Sequence, residues 1–414
     1  MKTRHVIIVG GGASGMMAAI TAATEGASVT LIEQKDRVGK KILSTGNGRC
    51  NLTNRRMDEA CFRGDDVAIV TEILGRFGLE DTERFFEHLG VMLKDRKGYV
   101  YPISDQASTI LDVLRMELER RQVRVLVSEP VTEIIRQKNG FSVKTKNNTL
   151  SADAVVLSTG GKASPVLGSD GSGYTLAKRF GHHLSPVVPA LVPLICKETF
   201  FKHLAGIRTQ AKVSLFVDDL FVASDIGELQ LTNYGISGIP VFQISRYAAK
   251  ALGRGCAVAA ELDFMPSMEE EAFADFLIRR LECHGYKCAE EFMIGMFPKK
   301  LIGTLLKTAQ MIPTAAMTTY SKKELSHLAY VCKHFRVDIV ETNGFEGAQV
   351  CAGGVRVSEV TPDTLESVYV KNLYLTGELL DIDGICGGYN LQWAWSSGYI
   401  AGTSAGKSFK IQNK

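Results

Sequence analysis

Residues 6–33 read VIIV-GGGASG-MMAAITAATEG-ASVTLI-E. The order is an apolar run, a glycine turn, an alanine-rich stretch, a second apolar run and a terminal acid. It predicts strand, turn, helix and strand, the opening unit of a dinucleotide-binding fold. Gly10 suits the tight turn. Gly12 has no Cβ, so a pyrophosphate can approach the backbone, and Gly15 lets the helix lie against the strand. The helix start, with Ala13 and Ser14, directs unpaired N–H groups and the positive dipole end toward phosphates. Glu33 is spaced to accept hydrogen bonds from both hydroxyls of an adenosine ribose and to repel a 2′-phosphate. FAD or NAD therefore suits this segment better than NADP. Gln34 and Lys35 complete its candidate binding residues.

At 414 residues the chain is long enough for two or three domains with large cores. Its net charge of +3 is too small and too dispersed to suggest a nucleic-acid partner. The lysines of the tail beyond Lys407 read as solvated. No apolar run reaches the roughly 18 residues of a membrane span. Residues 1–5 followed by an apolar stretch resemble a secretion signal only superficially, because glycines interrupt the stretch and it runs on to Glu33. Nine irregularly spaced cysteines suit reduced thiols and a cytoplasmic setting better than a disulfide framework. Cys283, His284 and Cys288 have no second ligand pair nearby, so no metal site is expected. Cys50 has no partner at the spacing of a flavin–disulfide reductase.

Along the chain, a polar glycine-rich loop occupies 39–54. Helical spacing is expected over 67–89 and 106–121, the latter with a stripe at Ile110, Leu111, Leu114 and Leu118. Short strands are expected at 98–102, 124–127, 131–138 and 141–145. Residues 154–161 read as a buried parallel strand that returns the chain to the first sheet and ends in Thr159, Gly160 and Gly161. From about 190 the pattern changes. Segments 212–217 and 227–232 look antiparallel, 266–330 is mostly helical, and strand pattern resumes at 335–340. Another buried strand leads to Thr376, Gly377 and Glu378. A loop at 384–388 then precedes a helix at 389–402. The expected organisation is a discontinuous cofactor domain over 1–189 and 348–414, a β-barrel-like insertion over 190–265 and 334–347, and a helical subdomain over 266–333. An insertion so placed would cover the cofactor and exclude water.

Three separated segments thus converge: the opening glycine turn, 158-STGG-161, and 376-TGE-378 with 387-GGYNLQ-392. Together they are the pattern of an α/β, glutathione-reductase-type, Rossmann-like FAD domain. Glu378 would meet the ribityl or pyrophosphate region. The helix beginning near Asn390, with Gly388, Tyr389, Leu391 and Gln392, would aim free N–H groups at the flavin edge that becomes negative on reduction.

The segments 45-TGNGRCNLTN-54, 98-GYVYP-102, 235-GISG-238, 352-AGGV-355, 364-TLES-367 and 387-GGYNLQWAW-395 resemble one bacterial FAD-dependent oxidoreductase family. It includes aminoacetone oxidases and the reductases of 3-dehydro-4,6-diene bile acids. The resemblance spans essentially the whole chain. It implies an FAD domain with an inserted β-barrel and helical domain, and it puts Lys41, Thr45, Gly46, Arg49, Cys50 and Asn51 beside FAD. Val131 would give backbone contacts to adenine. Two departures bear on the substrate side: Ile239 precedes Pro240 where the family runs Gly-Pro, and Cys351 stands where many members have Thr.

No second dinucleotide fingerprint follows. Residues 168–173 lack a preceding strand, and 253–255 is too short. NAD(P)H would therefore dock transiently, or the substrate itself would reduce FAD. The leading expectation is NAD(P)H-driven reduction of an activated C=C bond in a small or steroid-like enone through flavin N5. The alternatives are an amine oxidase that produces hydrogen peroxide and a non-catalytic flavin sensor. Tyr174, Tyr234 and Tyr389 are candidate proton donors. His182 and His183 read as structural. No catalytic acid or base is assigned.

Overall fold

The computed structural model describes residues 3–407; Met1, Lys2 and the tail lysines Lys410 and Lys414 lie outside it. The chain divides into two compact units, Met1–Val187 with Gln349–Lys414, and Val188–Ala348.

In the first unit the opening pattern becomes β1 (His5–Val9), α1 (Ala13–Thr24) and β2 (Ser28–Ile32). The further elements that matter here are β3 (Thr53–Asn54), β4 (Tyr99–Pro102), α2 (Ala107–Arg120), β5 (Arg124–Leu126), β6 (Ala154–Leu157), α3 (Ser172–Lys178), β7 (Leu373–Leu375) and α4 (Tyr389–Gly406). Five strands form a parallel sheet in the order β7-β6-β1-β2-β5. Val9 stands opposite both Ile32 and Leu157. The runs at 6–9 and 154–157 are buried throughout, which is why they read as continuous apolar segments and not as alternating ones. The chain leaves β1 toward β2 on one side and later returns as β6 on the other. A crevice at the C-terminal ends of β1 and β6 is where such sheets bind ligands.

Helix α2 buries the expected stripe of Ile110, Leu111, Leu114 and Leu118. The helical pattern over 67–89 is two helices, Ala68–Leu74 and Leu79–His88, broken where Gly75 and Gly78 weaken the run. Strands Val131–Gln137, Gly140–Thr145 and Thr149–Ala152 form an antiparallel sheet of their own. Helices α1 and α4 cross closely because α4 carries glycine at every fourth place. A Cβ added at Gly398, Gly402 or Gly406 would lie 2.4 Å from Ser14 O, 2.0 Å from Thr21 Oγ1 or 2.7 Å from Ala22 O.

The second unit is built on a closed six-stranded barrel. Its order is Leu194–Cys196, Gly235–Gly238, Leu220–Leu231, Arg208–Val217, Val258–Asp263 and Phe335–Thr342. The segments 212–217 and 227–231 fall in its longest antiparallel pair of strands. Helix Ile239–Leu252 buries Val241, Ile244 and Ala248. Helices Glu270–His284, Lys299–Thr308 and Lys322–Lys333 share a second hydrophobic core with the barrel. Lys333 is buried there, and its ammonium is satisfied by Asp263 and the carbonyls of Met265 and Met268.

Candidate functional site

The three glycine-bearing segments meet at the C-terminal ends of β1, β6 and β7. Gly10 has φ +104°, and a Cβ there would lie 2.5 Å from Ser158 O. The Ser158 hydroxyl donates to the carbonyls of Val9 and Gly10 at 2.9 Å. Gly377 receives the third segment: its N–H donates to Ser397 Oγ at 3.0 Å, and its carbonyl accepts from Trp393 Nε1 at 3.0 Å. A serine just after a buried strand and before Gly-Gly is the sequence signal that could have found the Ser158 tie. Nothing local pointed to Ser397.

At the adenosine end, Glu33 is buried and both carboxylate oxygens are engaged. Oε2 accepts from Gly11 N–H and Oε1 from Lys35 N–H, each at 2.8 Å. Burial raises its pKa, against the hydrogen bonds of Lys35 and Gly11 and the charge of Lys35, which pull it down. The expected ribose contacts must therefore use the remaining lone pairs. The segment leading to Val131 comes alongside through Ser128 N–H to Lys35 O at 2.7 Å and Glu129 N–H to Glu33 O at 3.0 Å. Gln34 Nε2 donates to Gly168 O at 2.7 Å.

In the middle, Lys41 Nζ pairs with Glu378 Oε2 at 2.8 Å, and Glu378 Oε1 accepts from Cys351 N–H at 2.9 Å. Cys351 Sγ accepts from Lys162 N–H at 3.1 Å, so the position needs a short acceptor, which a Thr hydroxyl also provides. Burial, with the Glu378 charge, pushes the Cys351 thiol up to about 12, so it is not a thiolate. Gly160 and Gly161 make room for protein. Added Cβ atoms would meet Ser169 Oγ at 2.9 Å and Glu378 Oε1 at 3.0 Å. Thr159 packs against Gly173 at the start of α3.

Thr45 and Gly46 turn the basic loop, with Cys50 N–H on Thr45 O at 3.0 Å and Arg49 N–H on Gly46 O at 3.2 Å. Arg49 is exposed. Cys50 is fully buried, and burial pushes its thiol up to about 12 against a hydrogen bond with Thr45, which suits a packed thiol and not a reactive one. Ahead of α4, the Asn390 amide clamps Gly384, accepting from its N–H at 2.8 Å and donating to its carbonyl at 2.9 Å. The Gln392 side chain is committed within the protein. It is fully buried, donates to Thr82 and Ser396, and accepts from Thr53. An amide so used belongs to the core, and the Gln392 N–H is itself donated to Gly388 O at 2.9 Å. Tyr389 is buried edge-on against Phe62, with ring centroids 5.8 Å apart.

The residues present fit a dinucleotide. A Cβ built on Gly12 meets nothing within 4 Å, so open space adjoins the N-terminus of α1. That helix has no side-chain cap and no acid in its first turn; α4 likewise has no side-chain cap. Thr376 Oγ1 and Asn51 Oδ1 are buried polar atoms with no hydrogen-bond partner among the described residues.

His182 is buried, with Nδ1 on Glu359 at 3.2 Å and Nε2 on Ser367 Oγ at 2.8 Å. Burial lowers its pKa despite the carboxylate, so the ring is neutral at pH 7. Burial of Glu359 is outweighed by hydrogen bonds from the backbone and ring of the exposed His183, which hold the carboxyl below its usual range. Among the described residues no cluster of three His, Cys, Asp or Glu side chains could hold a metal, and no helix is long and apolar enough to cross a membrane.

The model of the HI0933-like protein Rossmann domain matches residues 4–404. The chain belongs to the HI0933-like family. It is 50% identical over 400 residues, 96% of this chain and 98% of the other, to the 3-dehydro-bile acid delta(4,6)-reductase of Clostridium scindens. It is 28% identical over 402 residues, 96% and 97% of the two chains, to the ribosomal RNA dihydrouridine synthase of Escherichia coli. The solved 3-ketosteroid delta1-dehydrogenase of Sterolibacterium denitrificans superposes with a TM-score of 0.52 at 14% identity, covering 98% of this chain and all of that one. At that identity the likeness is one of fold. This HI0933-like chain is an FAD-dependent oxidoreductase.

Proposed function

We propose that the protein uses NAD(P)H to saturate a C=C bond conjugated to a carbonyl, in a substrate of the steroid-like enone class. The observation that carries this reading is 50% identity over nearly the whole of both chains to a bile-acid delta(4,6)-reductase. The more distant dihydrouridine synthase also saturates a ring C=C bond conjugated to a carbonyl, so one chemistry is common to both relatives.

Bound FAD supplies a two-electron carrier between the nicotinamide donor and the substrate. In this reading the N–H groups of Gly12, Ala13 and Ser14 bind the pyrophosphate, with the α1 dipole behind them. Glu33 accepts from ribose hydroxyls, and the backbone near Val131 borders the adenine. Lys41 and Glu378, locked together, would hold the ribityl or pyrophosphate region. The backbone of Asn390 and Leu391 at the start of α4 would stabilise the flavin edge that becomes negative on reduction. No second nucleotide fingerprint occurs, which supports a donor that binds and leaves.

Anaerobic mixing tests the proposal. The yellow protein should bleach with NADH or NADPH and regain its colour with a 3-oxo-4,6-diene steroid. Oxygen consumption with aminoacetone and no reoxidation by the dienone would replace the proposal with an amine oxidase. Reoxidation by uridine-containing ribosomal RNA alone would replace it with an RNA-modifying enzyme.

A further inference from the structure

We propose that Tyr101 is the proton donor of the reduction, an inference that rests on the enone reading above. Strand β4 alternates. Val100 and Pro102 are buried, while Tyr99 and Tyr101 share the other face and stay half-buried. That face meets both glycine-rich turns of the proposed cradle. A Cβ built on Gly46 would stand 3.6 Å from the Tyr101 ring, and one on Gly387 3.1 Å from the Tyr99 ring. The pairing of β3 with β4 fixes this arrangement, with Thr53 opposite Val100 and Asn54 opposite Tyr99. Asn54 Nδ2 also donates to Gly387 O at 2.9 Å.

Of the two phenols on this face, Tyr101 is the one whose ring stands at the Gly46 turn, and its hydroxyl hydrogen-bonds to no described residue. Tyr174 and Tyr389 are 7% and 4% exposed, too enclosed to reach a substrate. The Arg96 guanidinium lies 5.8 Å from the centroid of the Tyr101 ring, and the Arg49 charge also acts on its hydroxyl. Burial raises the Tyr101 pKa, with Tyr99 and Cys386 adding to it, and this outweighs the two arginines. The phenol is therefore protonated at neutral pH and able to donate.

The step balances without further reagents. Hydride, carrying two electrons that originate in NAD(P)H, adds to the β-carbon, and the π pair moves toward the α-carbon and the carbonyl oxygen. The Tyr101 O–H bond breaks and its proton forms the new C–H bond at the α-carbon. The phenolate then takes a proton from water, so one NAD(P)H and one proton are consumed per bond saturated.

The test is Tyr101→Phe in the full, FAD-loaded chain. FAD retention, the visible spectrum and anaerobic bleaching by NAD(P)H should match wild type. Reoxidation by the dienone should slow by about 100-fold or more and lose its decline at high pH. An ultraviolet tyrosinate titration, wild type minus variant, should show one phenol whose pKa moves when an unreactive saturated 3-oxo steroid binds. Equal reoxidation rates would overturn the assignment and leave the enone reading standing. A variant that loses FAD would make Tyr101 a cofactor-packing residue and also overturn it. A wild-type protein that no enone reoxidises would overturn the enone reading itself.

Discussion

Gly12 and Gly15, three residues apart, lack a side chain for opposite reasons. At Gly15 a Cβ would lie 1.9 Å from Gly10 O, an impossible contact with backbone; at Gly12 it would meet nothing. Gly15→Ala should therefore lower folding stability by about 1–3 kcal/mol or more. Gly12→Val should leave the apo fold intact, by circular dichroism and melting temperature, and yield colourless protein. Full FAD retention in Gly12→Val would show that the open space beside α1 is not the pyrophosphate site. His182 makes a second residue-scale prediction. Its folded pKa lies below the ordinary 6.5, so on acidification the unfolded chain takes the proton first. The stability this neutral ring contributes is complete above pH 6.5 and is lost as pH falls through the folded pKa. Glu359, held below 4.5, adds a separate loss at still lower pH. Wild type should thus lose melting temperature faster than His182→Gln between pH 7 and 5. Equal slopes would show that His182 carries none of the acid sensitivity.

Between elements, the tightest constraint is the crossing of α1 and α4. Gly402 faces Thr21 Oγ1 and Ala18 O at 2.0 and 2.3 Å from where a Cβ would be, so Gly402→Ala forces two helices apart. The expected cost is about 1–3 kcal/mol in chemical denaturation, larger for Gly402→Leu, with FAD affinity falling because the start of α1 shifts. A neutral Gly402→Leu would contradict the close crossing. The contrast between this pair and the opening fingerprint shows what a sequence displays. β1, α1 and β2 were legible because a turn, a helix period and an acid fall within one short local window. The crossing was not, since its partners, Ala18 and Gly402, lie far apart in the chain and a glycine every fourth residue has no local meaning in a helix. The same holds at the site. The loops at Gly12, Gly160 and Gly377 could be read as glycine turns, yet the commitment of Gln392 to Thr53, Thr82 and Ser396 depends on three distant segments. Tyr101 stands in the 98-GYVYP-102 motif with no local mark of a role, because only strand pairing reveals which face of β4 meets Gly46 and Gly387.

At the scale of the whole molecule, the parallel sheet is assembled from strands that the chain visits far apart in time. β6 ends at Leu157 and its neighbour β7 begins at Leu373, with the entire second unit between them. A ribosome adding about 5–20 residues per second needs roughly 10–40 s to pass from one strand to the other. During that interval β6 is an edge with no partner on its outer side, while the barrel, whose strands all lie within 194–342, can already close. The order of folding should thus be inverted relative to the order of synthesis, the middle of the polypeptide becoming native before its beginning. Chains stalled with residues 1–360 outside the ribosome should give a protease-resistant core from the second unit and a digestible first unit, whatever the FAD supply. Resistance of residues 5–157 at that length would show that the sheet holds without its last strand. For the cell, the exposed interval is the vulnerable one, and a chaperone that shields nascent apolar strands would be needed for the first unit and not for the second.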